Sequence, residues 1–454
     1  MFLARWGCKG NPRPMIHGAP WRRRFVQWVS KVTILERMPH PDSWVVDPYR
    51  MIPLILLPTV QEPLKKLGIQ IPEDGWQNGV RHLSGLYSLK ANKKVQGTSM
   101  SNTLIAERTA FAQHLLKEAE RKFPGFVDLQ TSSTVEAIDL DGQTVTYRTG
   151  DGVTPRILPY DLLVGADGIE SVVRASIAVT NPRLVSKVTK ARGDYAHFLV
   201  PSIGKPGDDS SELVQQGEFV AVSYTKPAKG ANFGPDILRF YRNADGIIAG
   251  IVGGALGCLE AISGREEEWL QAVVPEVFPS SWVKPVAAGM HGPASSTTDI
   301  VELSSIAAPR VVLLGDAAHP ITQGLGLGCT SALLDADELD KAMEQCSGDL
   351  KRVHEVYNNI RFKDVRALAE FEKWVQKQAQ LDLADRLWKI VFIANVIVHQ
   401  LGYKVLPALV PLPPVALAVR GVISFRAAKR RMVVESAIFF VLVAIALLKL
   451  LLAH

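Results

Sequence analysis

Residues 311–328 read VVLLGDAAHPITQGLGLG, and this run constrains the architecture of the chain more than any other. Val311 to Leu314 have the length and β-branched content of a buried parallel strand. Gly315 lets the backbone turn sharply where that strand ends. Asp316 then sets a carboxylate where a sugar hydroxyl can donate to it. Gly324, Gly326 and Gly328 follow His319-Pro320, and Ser331–Met343 continues as a helix-forming stretch. A glycine-rich loop entering a helix N-terminus offers free backbone N–H groups to a phosphate or an electron-rich ring. The plainer reading is an ordinary glycine-rich strand-to-helix loop, and the unbroken run GDAAHP weighs against it.

Two further blocks precede it. Residues 160–174, YDLLVGADGIESVVR, predict a strand, then Asp167-Gly168, then Ser171 and Arg174. Residues 103–119, TLIAERTAFAQHLLKEA, predict a strand followed by a helix, with Arg108, Phe111 and Leu115 in an R-x-x-L-x-x-x-L-like spacing. Each alone has a bland explanation: a strand with a turn, or a helix-start arginine. Their order and separation are what single them out.

The three blocks together resemble the single-component FAD-dependent aromatic monooxygenases. That family's second flavin motif reads GD-x-A-H-x-x-x-P-x-x-G-Q-G-x-N. Gly315, Asp316, Ala318, His319, Gly326 and Gly328 fall on it without gaps, while Gln323, Leu327 and Thr330 replace its proline, glutamine and asparagine. The resemblance implies FAD held by Glu36, Arg37, Arg108, Asp167, Gly168, Gly315, Asp316, Gly326, Leu327 and Gly328. It implies NADPH or NADH as reductant and a C4a-hydroperoxyflavin that hydroxylates or epoxidises an electron-rich organic substrate. No side chain need act as a nucleophile. The protein would orient the cofactor and exclude water.

One expected block is missing. VTILER at 32–37 reads as the second strand of a dinucleotide-binding unit ending in Glu36, the acid that would bind the adenosine ribose. The preceding residues should carry a strand and G-x-G-x-x-G, yet Gly7, Gly10 and Gly18 lack that spacing and no apolar run precedes them. Two readings stand: a start that is not the native one, or a lost fingerprint.

Composition narrows the rest. A chain of 454 residues supports two cores and an appendage. The net charge of +6 is unevenly placed, with no acidic residue before Glu36 against seven Lys and Arg. Such a basic start fits an organelle transit segment, though it is poor in serine. Basic residues are not interleaved with aromatics, so nucleic acid is not expected as a partner. The four cysteines form no C-x-x-C pair and the histidines show no ligand spacing, so neither a disulfide framework nor a metal is expected.

The fold class expected is α/β: a doubly wound, Rossmann-like FAD-binding domain with an inserted antiparallel substrate sheet, a C-terminal helical layer and a transmembrane helix. Residues 1–31 are the atypical basic segment, 32–180 and 301–345 the two parts of the FAD-binding domain, and 181–300 the substrate sheet. A hairpin is expected from Ser133–Leu140 and Gln143–Arg148 around Asp141-Gly142. Residues 346–431 read as a helical region with a membrane-associated segment, because prolines 407, 411, 413 and 414 break the apolar runs Ile390–Val398 and Val405–Val419. Met432–Ala453 has few polar interruptions and the length of a spanning helix, about 20 residues. Arg426, Lys429, Arg430 and Arg431 precede it, which predicts a single-pass tail anchor with the catalytic bulk facing the cytosol, in the mitochondrial outer membrane or the endoplasmic reticulum.

This tail adds a resemblance to kynurenine 3-monooxygenases, where Arg81 would sit at the position of a substrate-carboxylate arginine. The companion tyrosine is absent around Val95-Gln96-Gly97. A surface strand arginine is the alternative reading of Arg81. The substrate expected is a small aromatic or apolar molecule. A tail-anchored, flavin-free relative with a binding or scaffold role is the competing functional class.

Overall fold

The computed structural model describes residues 2–5, 28–44, 53–66, 68–69, 81–90, 93–150, 152, 154–200, 214, 218–222, 234–242, 247–274, 278–292, 295–296, 298–321, 326–376 and 379–452. A six-stranded sheet forms the first layer, in the order Ala307–Ala308, Val311–Leu313, Leu162–Gly165, Phe2–Arg5, Lys31–Leu35 and Val127–Gln130. Leu162–Gly165 runs parallel to Val311–Leu313, and Lys31–Leu35 runs parallel to Val127–Gln130. The first pair is buried on both faces, as a parallel sheet requires: Leu162, Leu163, Val311, Val312 and Leu313 are at most 1% exposed. Helices Val172–Thr180, Gly328–Gln345 and Leu350–Val375 cover them through Val173, Ile177, Leu339, Met343, Val353 and Tyr357.

The central slot differs from expectation. It is filled by the short strand Phe2–Arg5, which pairs antiparallel with both neighbours. Phe2 sits opposite Val164 and Ile34, while Arg5 sits opposite Lys31. Arg5 therefore ends at the sheet edge opposite to the one where Lys31–Leu35, Leu162–Gly165 and Val311–Leu313 end. Gly7, Gly10 and Gly18 lie outside the described residues.

The second layer is an eight-stranded sheet, ordered Ser295–Ser296, Gly193–Val200, Ile248–Ala255, Ile237–Arg242, Glu218–Val222, Arg81–Lys90, Lys93–Glu107 and Pro53–Leu56. Three of these strands precede the stretch 181–300 assigned to the sheet from sequence. They are recruited because Glu218–Val222 satisfies its free edge by pairing in parallel with Arg81–Lys90, so the sheet is mixed. One face packs on helices Glu266–Val273 and Ser280–Met290, with Phe240 edge-on to Trp282 at 5.2 Å. Alternation then turns Phe219 and Ile105 to the other face, toward the cofactor-type domain. The expected hairpin forms, with Ser133–Asp139 antiparallel to Thr144–Thr149.

Helices Leu350–Val375, Leu383–Val405, Pro414–Val419 and Phe425–Leu452 complete the chain. The expected transmembrane helix is overturned: among the described residues, no helix is long and apolar enough to cross a membrane. The start of the expected span belongs to the folded body. Met432 is 1% exposed and packs with Phe371, Trp374, Phe425 and Ala428. Glu435 accepts a bond from Arg431 Nε at 2.7 Å and from Asn395 Nδ2 at 3.2 Å, and lies 2.9 Å from His399 Nε2. The single-pass anchor and the cytosol-facing placement drawn from it are withdrawn together. The side chains of Phe439, Phe440, Leu442, Val443, Ala446 and Leu447 lie outside the described residues.

Candidate functional site

Lys31–Leu35, Leu162–Gly165 and Val311–Leu313 share one direction, so the residues that follow each of them emerge at one edge of the sheet. Topology thus gathers Glu36, Asp167-Gly168 and Gly315-Asp316, which are far apart in sequence. Ligands of open α/β sheets collect at such carboxyl edges.

The GDAAHP run makes a tight turn. Gly315 has φ +58°, a conformation that side chains with a Cβ rarely adopt. Ala318 N and His319 N both donate to Gly315 O at 2.9 Å. From the neighbouring helix, Arg174 Nη1 donates to Asp316 O at 3.1 Å and to Ala317 O at 2.8 Å. Arg174 also bonds the Ile169 carbonyl, which joins the two motifs by main chain. Burial lowers the Arg174 pKa, while Asp167 and Asp316 oppose that shift. The Asp316 side chain is exposed, and among the described residues no side-chain bond occupies its carboxylate.

Beyond the turn, Gln323 and Gly324 lie outside the described residues. Gly326 follows with φ +68°. The helix Gly328–Gln345 then begins after Leu327, which supplies no side-chain cap. The first backbone N–H groups of this helix therefore keep their capacity for an external acceptor. Leu327 itself is 2% exposed and packs with Phe371 and Trp374. Thr330 Oγ1 donates to Ile55 O at 2.9 Å, tying the helix to the second sheet. Two of the departures from the family motif are thus absorbed by packing.

The other expected residues divide. Gly168 has φ +80° and nothing within 4 Å of where a Cβ would stand, an open approach at the sheet edge. Asp167 is engaged by its own helix: Ser171 Oγ donates to Oδ1 at 2.6 Å and Val173 N to Oδ2 at 3.1 Å. Glu36 follows its strand and accepts from Met38 N at 2.8 Å, and Arg37 is exposed. Arg108 is exposed at the start of the helix Arg108–Lys122, which the buried Glu107 caps through Thr109 N and Ala110 N. Burial pushes the Cys329 thiol up to about 12, with Arg108 opposing and Asp316 reinforcing the shift. Cys329 packs with Phe111 and Leu115 of the Arg108 helix, which brings that helix against the start of Gly328–Gln345. Arg81 opens its strand opposite Ile105, and its side chain lies outside the described residues.

Sequence reasoning missed the residues beneath the turn. Asp335, Arg361 and Tyr357 carried no motif, and no local signal in the sequence points to them. Tyr357 donates to Leu313 O at 3.1 Å, and Asp335 accepts from Gly315 N at 2.7 Å.

The residues present fit a flavin nucleotide at one end of the site. An exposed, unengaged carboxylate, an uncapped helix N-terminus and an open glycine at one sheet edge are the donor and acceptor set such a cofactor needs. Among the described residues no group of His, Cys, Asp or Glu suits a metal ion.

No family model matches the chain. It is 27% identical over 240 residues to 3-hydroxybenzoate 6-hydroxylase from Klebsiella oxytoca, a match covering 52% of this chain and 54% of that protein. The chain thus spans about half the length of that relative. It is 25% identical over 315 residues to the FAD-dependent monooxygenase thnD of Trichoderma harzianum, covering 64% and 71%. Among solved structures, P. aeruginosa PqsL in complex with 2-aminobenzoylacetate aligns with TM-score 0.55 and 17% identity, over 76% of this chain and 89% of that one. That likeness concerns the fold. The closeness to kynurenine 3-monooxygenases expected from the tail is not supported by these relatives.

Proposed function

We propose that this chain, which belongs to the FAD-dependent monooxygenases, holds FAD at the carboxyl edge of its six-stranded sheet and hydroxylates a small aromatic substrate. The observation that carries this reading is Asp316: an exposed carboxylate with no partner among the described residues, at the end of a buried parallel strand and beside an uncapped helix. When bound, the flavin supplies the redox chemistry, taking electrons from NADPH or NADH and activating dioxygen.

The chain's own residues do the rest. Asp316 would accept hydrogen bonds from hydroxyls of the cofactor's sugar-like chain, and Glu36 from those of the adenosine ribose. Gly168 would let backbone approach the phosphates. The positive end of the Gly328–Gln345 helix would favour negative charge on the cofactor. Arg108, exposed at the start of its own helix, would be available to the cofactor's negative groups. Leu327, Ile321, Ile55 and Phe219, with Val415, Val419 and Ile423 from the C-terminal helices, form an apolar wall that keeps water from the reacting centre. Arg81 is the candidate anchor for a substrate carboxylate.

The test is to load purified full-length protein with FAD, remove oxygen, and follow bleaching of the flavin by NADPH and by NADH with and without simple hydroxylated benzoates. Reduction that an aromatic acid accelerates supports the reading. A protein that never turns yellow, or a bound flavin that neither nucleotide reduces, overturns it.

A further inference from the structure

Beneath the GDAAHP turn lies a buried charged cluster that the proposed chemistry does not use. Asp335 is fully buried, His319 is 1% exposed and Arg361 is 5% exposed. Asp335 Oδ2 accepts from Gly315 N at 2.7 Å and lies 2.6 Å from His319 Nε2, while Oδ1 accepts from Arg361 Nε at 2.7 Å. Arg361 is fixed in turn by Ser331 Oγ at 2.8 Å and by Asp364 at 2.9 Å. One carboxylate therefore binds both ends of the turn, its first amide at Gly315 and its last side chain at His319, and clamps them to the Leu350–Val375 helix.

We infer that Asp335 is the positioning residue of this site, holding residues 315–319 in the one shape that leaves the Asp316 carboxylate facing outward. The inference rests on the reading of the turn as a flavin cradle. Its physical basis is donor counting. Three donors from two segments, the turn and the Leu350–Val375 helix, converge on the two oxygens of Asp335. A turn without that acceptor would bury an unpaired Gly315 amide and leave Arg361 Nε without its acceptor. Burial would push the Asp335 carboxyl up, but the charges of His319 and Arg361 and the bonds from His319 and Gly315 outweigh it and hold the carboxyl below the usual aspartate value. The acceptor thus stays ionised. His319, whose Nδ1 makes no hydrogen bond among the described residues, has Asp335 as its polar contact there and so follows it.

The variant Asp335→Asn keeps the shape of the side chain but replaces one acceptor oxygen by a donor, so it cannot serve all three partners. Two readouts are taken on the full-length protein. Hydrogen exchange without flavin should show the amides of residues 315–319 opening about tenfold faster or more, while the middles of helices 328–345 and 350–375 stay protected. FAD titration should show an affinity loss of about tenfold or more, and in an Asp316→Ala background the same substitution should add less than about twofold, since the turn's main ligand is already gone. Unchanged exchange at 315–319, or loosening spread evenly through both helices, overturns the assignment. So does an equal loss in the two backgrounds. If the parent protein takes up no FAD yet the turn alone loosens in Asp335→Asn, the flavin reading fails and the positioning role stands.

Discussion

At the scale of single residues, a motif letter and a structural role come apart. Asp167 looked like a cofactor contact, yet its carboxylate is consumed by Ser171 Oγ and Val173 N at the start of its own helix. Arg174, part of the same sequence block, grips the main chain of the flavin-type turn from the neighbouring helix. Replacing Arg174 by Met should therefore destabilise the fold by about 0.5–1.5 kcal/mol, because it removes hydrogen bonds to half-buried and exposed main-chain carbonyls of the turn. A denaturation midpoint equal to that of the parent would show that the clasp is dispensable. Asp316→Ala should do the reverse, leaving the midpoint unchanged while weakening FAD binding about ten- to a hundredfold, the loss of a charge-assisted hydrogen bond. Unaltered FAD affinity would remove Asp316 from the site. Asp316 was legible in the sequence because it follows a strand and a glycine. Asp335 was not, because nothing in a helix sequence says that a carboxylate will meet an amide twenty residues away in the chain.

At the scale of elements, the C-terminal helices are held by charge as well as by packing. Lys373 is 2% exposed and bridges Glu302 at 2.9 Å and Asp385 at 3.0 Å, while Lys187 pairs with Asp382 and Asp385. Burial would raise the Asp385 carboxyl, but bonds from Lys187 and Lys373 outweigh it and hold it below the ordinary 3.8. A carboxyl with a depressed folded-state pKa contributes stability in full above its ordinary value and loses it as the pH falls through the folded value. The parent and Asp385→Asn should thus differ in urea midpoint at neutral pH and converge as the solution is acidified below that range. Parallel curves down to strong acid would deny the clasp. Met432 adds the packing contribution. Met432→Ala should cost about 2–5 kcal/mol by opening a cavity beside Phe371 and Phe425, whereas a freely projecting anchor would lose nothing measurable.

At the scale of the whole molecule, what was legible from sequence was what repeats locally. Apolar runs of strand length gave Lys31–Leu35, Leu162–Gly165 and Val311–Leu313, and glycine positions gave the turns between them. Long-range pairing was not legible. Nothing local announces that Arg81–Lys90 will lie parallel to Glu218–Val222, so the second sheet came out larger than expected. Nor does an apolar run reveal its partner. Met432–Ala453 has the composition of a span, and only the fold shows Met432 and Glu435 spent on Phe371, Asn395 and His399. The central slot is the sharpest departure, because Phe2–Arg5 delivers the chain to the edge away from Asp316. A flavin site here therefore requires that the remaining contacts at the Asp316 edge suffice for a dinucleotide. Equilibrium dialysis of full-length protein against FAD tests this directly. The expected result is saturable uptake of one FAD per chain, abolished or strongly weakened in Asp316→Ala. Uptake that never saturates, or that is the same in both proteins, would contradict it.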